Sequence, residues 1–261
     1  MNTRLIRCRA ALLVAAWFLL AGASSAAEVR VFISVGLSAA YQTLVPEFER
    51  ASKNTVVTAT GASMGTTPEA IPNRLQRGEP ADVVIMVAEA LDGLIAQGKV
   101  VAGSRVDIAL SKIGMAVRAG TPKPDISSVD AFKKTLLAAK SIAYSDSASG
   151  VYLSTVLFQR LGIADQLLPK SRAILSEPVG AAVARGEAEI GFQGISELLP
   201  VAGIELVGLL PSELQKVTVF SAGVVVGAKE PEAGRALIRF LASPTAAPVI
   251  AKSGLEPVAT K

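Results

Sequence analysis

Histidine is absent from this 261-residue chain. Imidazole is the commonest zinc and haem ligand and the usual base beside a serine nucleophile, so those chemistries lose their customary participant. Cysteine occurs once, as Cys8, and tryptophan once, as Trp17. Both fall in a segment expected to be removed. Arg4, Arg7 and Arg9 precede an apolar run over 10–23, and Ser25, Ala26 and Ala27 supply the small residues of a secretory cleavage site ahead of Glu28. The run is shorter than the roughly 20 residues that span a bilayer. Cys8 stands ahead of it, where a lipid-attachment cysteine does not sit. The expected mature chain therefore carries no disulfide, no thiol nucleophile and no lipid anchor, and is expected in the periplasm with no membrane insertion.

Excess charge of one sign is also missing. Of 26 Lys and Arg, three lie in the expected signal, which leaves 23 against 22 Asp and Glu. Nucleic acid and other polyanions lose their support as partners. Any proton-transferring group in the mature chain must be Asp, Glu, Lys or Tyr.

What is present is an alternation of short β-rich runs and helical patterns. VRVFISV (Val29–Val35), TVVTAT (Thr55–Thr60) and ADVVIMVA (Ala81–Ala88) read as strands. Between them lie an amphipathic stretch from Ala39 to Ala51 and a helical piece near Asn73 to Arg77. A second set follows, with IGMAVRAG as strand, Ser128 to Ala139 as helix capped by Ser127 with Asp130, SIAY as strand and Val151 to Leu161 as helix. Pro178 to Arg185 reads as a short helix, Glu189 to Phe192 and Glu205 to Leu210 as strands, and Pro231 to Leu241 and Thr245 to Ala251 as helices. This rhythm predicts an α/β fold with largely parallel sheets and helices on both faces. Two long strands, near Ile113 to Val117 and near Val217 to Val226, are expected to carry the chain between two lobes. Lobe 1 would hold 28–113 plus 221–261, lobe 2 would hold 114–220, and a ligand would lie in the cleft between them.

Three loops follow a predicted strand, are rich in Ser, Thr and Gly, and open a helix: SVGLS (Ser34–Ser38), GASMGTT (Gly61–Thr67) and SDSASG (Ser145–Gly150). One such loop is ordinarily a plain N-cap. Three of them spread over both lobes point to an anion held by hydroxyls, backbone N–H groups and helix ends. EPVG (Glu177–Gly180) opens a fourth helix, with Pro178 in its first turn.

The stretches VFISVGLSAAYQTLVPEFE, RGEPADVVIM, SASGVYLS, EPVGAAVARGEAEIGF and LASPTAAPVIAKSGLEPV resemble the periplasmic molybdate-binding-protein-like branch of the type II solute-binding proteins along nearly all the mature chain. The resemblance implies a two-lobed fold with its ligand between the lobes. It also implies an oxyanion held by a serine in each of the first two loops, backbone groups in the next two segments and a tyrosine after the last. Here the first serine position falls at Gly36, with Ser34 and Ser38 beside it, and the second loop offers Ser63 followed by an insertion, MGTTPEAIP. Ser149 and Val179 fall at the backbone positions, and the tyrosine position falls at Gly194, beside Gln193. These departures disfavour molybdate and imply a larger ligand.

Within this branch, SMGTTPEAIPNRL, EPADVVIMV, SDSASGVYLS and EPVGAAVARGEAEIGFQ resemble the aconitate isomerases, which interconvert trans- and cis-aconitate on this fold. The implied reaction is a cofactor-free allylic proton shift on a small tricarboxylate anion. The implied substrate contacts are Ser34, Gly36, Ser38, Ser63, Met64, Gly65, Thr66, Arg74, Ser147, Ser149, Val179 and Gln193. Arg74 is the cation best placed by sequence for a bidentate carboxylate contact. Among the titratable groups near the loops, Glu177 is the first candidate to transfer the proton, with Tyr152 or Asp146 as the second and Tyr144 adjoining them. The alternative is a receptor that hands a molybdate-like oxyanion or small polycarboxylate to an ABC permease.

Overall fold

The computed structural model describes residues 26–175 and 177–258. The expected signal segment, apart from its last two residues, lies outside the described residues. Two mixed sheets carry the fold. The first contains β1 (Glu28–Ile33), β2 (Thr55–Thr60), β3 (Val83–Val87) and β4 (Val106–Ser111). The second contains β5 (Ile113–Arg118), β6 (Ile142–Ser145), β7 (Ser171–Ile174), β8 (Ile190–Gly194) and β9 (Ile204–Leu209). The chain then returns to the first sheet with β10 (Thr218–Val224) and β11 (Glu256–Pro257). The strand orders are β11-β4-β10-β3-β1-β2 and β7-β6-β8-β5-β9. β1 runs parallel to β2 and β3, while β10 lies antiparallel between β3 and β4. In the second sheet β6 runs parallel to β7 and β8, and β5 is antiparallel to β8 and β9. The result is the two-lobed architecture expected from the alternating pattern, but the sheets are mixed rather than largely parallel, because β5 and β10 each run antiparallel to both neighbours.

The run VVIMV shows why the first sheet is sandwiched. All five residues of β3 are buried, with Val83, Ile85 and Val87 in one apolar cluster and Val84 and Met86 in another. A strand covered on both faces needs apolar residues at every position. Each such side chain contributes roughly 1.5–3 kcal/mol when fully buried. The first face is covered by α1 (Val35–Ser52), α10 (Pro231–Leu241) and α11 (Ala247–Lys252), the second by α2 (Ile71–Gln76) and α3 (Ala88–Ala96). The second lobe is covered by α4 (Val129–Ala138), α5 (Ala148–Tyr152) running through a π-helical turn (Leu153–Leu157) into α6 (Phe158–Arg160), and α7 (Ala164–Leu167). On the other face of β6, α8 (Val179–Ala184) packs on Ala143. The short α9 (Ile195–Leu198) follows β8 directly.

Two local expectations are corrected. The first helix begins at Val35, with Ser34 as an extended N-cap, so Gly36 and Ser38 belong to its first turns rather than to a loop. Ser128, and not Ser127, caps α4: its Oγ accepts from Ala131 N at 3.1 Å, while Ser127 N donates to Asp125.

The passages between sheets are short. Lys112 alone separates β4 from β5. Gln215, on the returning passage, brackets that crossing by accepting from Ile113 N (2.8 Å) and donating to Ile113 O (3.0 Å). Both crossings are thus tied to one another at the point where the lobes meet.

Candidate active site between the lobes

The serine-rich loop of the second lobe is held by its own backbone. Gly150 lies so close to β6 that a Cβ there would sit 1.6 Å from Ser145 O, which only glycine tolerates. The close approach brings three hydroxyls together: Ser145 Oγ lies 2.7 Å from Ser147 Oγ and 2.9 Å from Ser149 Oγ, and the last two are 3.3 Å apart. Ala148, between them, packs against the apolar cluster of the first lobe, so this loop faces the other lobe. Asp146 is exposed.

The first segment meets the second lobe through α9. Ser196 Oγ, buried, donates to Gly36 O at 2.8 Å. Gly36 is backed by Phe220, whose Cζ would stand 2.3 Å from a Cβ at that position. Ser34 is buried, its N donates to Ile85 O, and its carbonyl accepts from Ser38 Oγ at 3.3 Å.

In the second segment, Ser63 Oγ accepts from Val87 N at 3.0 Å in a buried bond at the start of α3. Met64, Gly65 and Thr66 are exposed, and Asn73 pins this insertion by donating to Gly65 O (3.2 Å) and Thr67 O (2.7 Å). Arg74 does not fit the role of a free carboxylate clamp. Its Nε donates to Glu69 O, its Nη1 pairs with Glu79 at 2.8 Å, and its guanidinium stands 5.5 Å from the centre of the Phe32 ring. Arg77 and Arg74 together hold the Glu79 carboxyl below the usual carboxylate range.

The expected proton-transferring groups also find other employment. Glu177 is exposed and bidentate on Arg185, at 2.7 and 3.0 Å, and that guanidinium lowers its pKa. A glutamate tuned as a base by loss of water is therefore not found at 177. Tyr152 donates its hydroxyl to Leu214 O at 2.9 Å and packs against the second-lobe core, which is the packing role of an amphipathic helix. Tyr144 packs edge-on to Phe158. The Val179 N–H, expected to meet the ligand, donates instead to Gln193 Oε1 at 2.9 Å.

Gln193 leads to a residue that sequence reasoning missed. Its Nε2 donates to Glu197 Oε1 at 2.9 Å. Glu197 lies in the single turn of α9, which starts from Gly194, the position of the absent tyrosine. Burial pushes its carboxyl up to about 7; the Gln193 and Gly194 amides pull it down, and Asp146 raises it further. The sequence signal was only a glutamate three residues after a glycine, which reads as an ordinary first-turn acid at a helix start.

Gln193 and Ser196 thus join two of the four segments to α9, Val179 through Gln193 and Gly36 through Ser196, while the charge of Asp146 in the serine loop acts on Glu197. Chemically the junction offers hydroxyls, backbone amides and one carboxyl group that titrates near neutrality. Among the described residues, no group of three or more Cys, Asp or Glu side chains is arranged to hold a metal ion, and no helix is long and apolar enough to cross a membrane.

Two α/β lobes joined by two short passages, with loops from both converging between them, define a type II periplasmic binding-protein fold. The family model described as bacterial extracellular solute-binding protein matches residues 29–256, and the chain belongs to that family. The chain is 53% identical over 248 residues to an aconitate isomerase from a Pseudomonas species, covering 95% of this chain and 94% of that protein. It is 27% identical over 244 residues to the molybdate-binding protein ModA of Azotobacter vinelandii, covering 90% and 92% of the two chains. Among solved structures, the periplasmic molybdate-binding protein of Azotobacter vinelandii superposes with a TM-score of 0.71 at 20% identity, covering 89% of this chain and all of that one.

Proposed function

We propose that this protein interconverts trans- and cis-aconitate in the space between its lobes. The reading is supported by the 53% identity to the Pseudomonas enzyme, which extends through both lobes and all four loop segments. The structural observation that carries it is the partly buried carboxyl of Glu197, held by Gln193 at the junction of those segments. A molybdate-like oxyanion has no proton to exchange at neutral pH, and the ionised form of this carboxyl would repel it. A substrate that loses and regains a proton has use for such a group.

The substrate is a small tricarboxylate. The hydroxyls of Ser145, Ser147 and Ser149 and the backbone around Ser34, Gly36 and Ser63 are its hydrogen-bonding partners in this reading, with the exposed insertion Met64–Thr66 next to them. The charge developing on a carboxylate during proton loss is stabilised by such fixed donors. The chemistry is a shift of a carbon–carbon double bond and requires no added cofactor. The site of action is the periplasm, reached through the N-terminal signal.

A receptor for an oxyanion, working with an ABC permease, is the competing reading, favoured by the ModA relative and by the fold. The two separate in one experiment. Purified protein is incubated with trans-aconitate, the cis isomer is followed by chromatography, and thermal-shift titrations with molybdate, sulfate, citrate and tricarballylate run beside it. Accumulation of cis-aconitate above a buffer blank supports the isomerase. No conversion, together with a large molybdate shift, refutes it.

A further inference from the structure

We infer that the Glu197 carboxyl is the catalytic group that carries the proton between the two carbons of the substrate, and that Gln193 is its positioning residue. The inference rests on the isomerase reading and names the group that reading leaves open. Three observations about place support it. Glu197 stands on a one-turn helix that touches the first lobe through Ser196 and Gly36, and the second through Gln193 and Val179. Among the described residues its Oε1 is engaged by one side-chain donor, Gln193 Nε2 at 2.9 Å, and no arginine or lysine pairs with it. The candidates proposed from sequence are otherwise placed: Asp146 is exposed, Glu177 is held by Arg185, and Tyr152 donates to the Leu214 carbonyl.

The reaction balances on one carboxyl group. In aconitate, a methylene carbon and a vinyl carbon flank the carbon that bears the middle carboxylate. Glu197, as carboxylate, takes one proton from the methylene; the C–H electrons become the new double bond, and the old double bond opens as a delocalised carbanion. The protonated Glu197 then returns that proton to the former vinyl carbon. One C–H bond breaks, one forms, and no oxidant, reductant or co-reactant is consumed.

The base must be ionised to begin, and its surroundings decide at which pH it is. Burial and Asp146 favour the protonated form, while the Gln193 and Gly194 amides favour the carboxylate. The elements packed against α9 are α1, β5, β8 and the turn at Gly254. Their charged groups are Glu47, Glu49 and Arg50 on α1, Arg118 on β5, and Lys252 and Glu256 beside the turn. Of the last pair, Glu256 is committed to Lys112. Asp146 is the charge that acts on Glu197. The rate constant kcat/KM should therefore rise with pH through neutrality as Glu197 loses its proton.

The test compares wild type, E197Q and Q193A for turnover of trans-aconitate, for binding of tricarballylate, which has the three carboxylates but no double bond, and for the pH profile. Loss of general acid/base chemistry is expected to reduce E197Q turnover on the order of 100- to 10,000-fold, with tricarballylate affinity within a few-fold of wild type. Q193A should lower kcat/KM near neutral pH and move its rise to higher pH, because a donor to the carboxylate is gone; a merely structural role would lower activity at all pH values alike. E197Q turnover within tenfold of wild type overturns the inference. Should E197Q fail to bind tricarballylate, the Q193A profile decides, and an unshifted profile overturns it. A wild type that leaves trans-aconitate unchanged overturns the isomerase reading and this inference with it, whereas an active wild type with an active E197Q overturns this inference alone.

Discussion

Replacing Glu197 by glutamine should remove a pH dependence of stability that the wild type carries. The carboxyl moves from an ordinary 4.5 in the unfolded chain to about 7 in the fold, where burial opposes its ionisation. Between those values the folded protein holds a proton that the unfolded chain has released. Its contribution is therefore complete below pH 4.5 and is lost as the pH rises through about 7. At about 1.4 kcal/mol per pH unit, the loss totals about 3 kcal/mol. Glutamine keeps an oxygen to accept from Gln193 Nε2 but has no proton to lose. Urea unfolding of both proteins from pH 4 to pH 8.5 isolates the effect, since titrating groups that do not interact with Glu197 cancel in the difference. The two should be of similar stability near pH 4.5, and E197Q should be the more stable by about 3 kcal/mol at pH 8. Stability curves that stay parallel across this range would refute the claim that the Glu197 carboxyl is buried and unpaired by a cation.

Gly150→Ala places a methyl 1.6 Å from a backbone carbonyl. It should lower stability by roughly 1–3 kcal/mol or more, as overpacking does, read as a drop in the urea midpoint, and should disrupt the serine cluster so that tricarballylate binds more weakly. Ser196→Ala removes the hydroxyl bond that ties α9 to the Gly36 carbonyl and should cost roughly 0.5–1.5 kcal/mol, measured by the same unfolding assay. Glu177→Gln should leave kcat/KM for trans-aconitate unchanged, because its carboxylate is exposed and bound to Arg185; a loss of turnover would return Glu177 to the mechanism.

Much of the frame can be read from local pattern. TVVTAT is β2 and PEAGRALIRFL is α10 to the residue, because an alternating or amphipathic run bounded by turn residues leaves few options. The serine loop was equally visible, since Ser, Asp and Gly between a strand and a helix have few other uses. The helix Ala88–Ala96 and strand Val106–Ser111 were missed. The site residues were harder, because each depends on a partner that the pattern does not reveal. Arg185 lies two turns from Glu177, yet its long side chain reaches back to it. Arg74 finds Glu79, Tyr152 finds the carbonyl of Leu214, and Val179 finds Gln193. Glu197 had no visible distinction at all: its unusual protonation comes from burial and from Asp146, which only the fold brings near.

The central claim is that this solute-binding fold performs a proton shift on aconitate rather than merely holding an anion. Proton NMR of trans-aconitate in D2O with catalytic amounts of the protein, and no added metal or cofactor, tests it directly. The account predicts that the resonances of cis-aconitate grow to an equilibrium mixture at a rate proportional to protein concentration. A spectrum that stays that of trans-aconitate at protein concentrations sufficient to bind it would contradict the account and leave a binding protein.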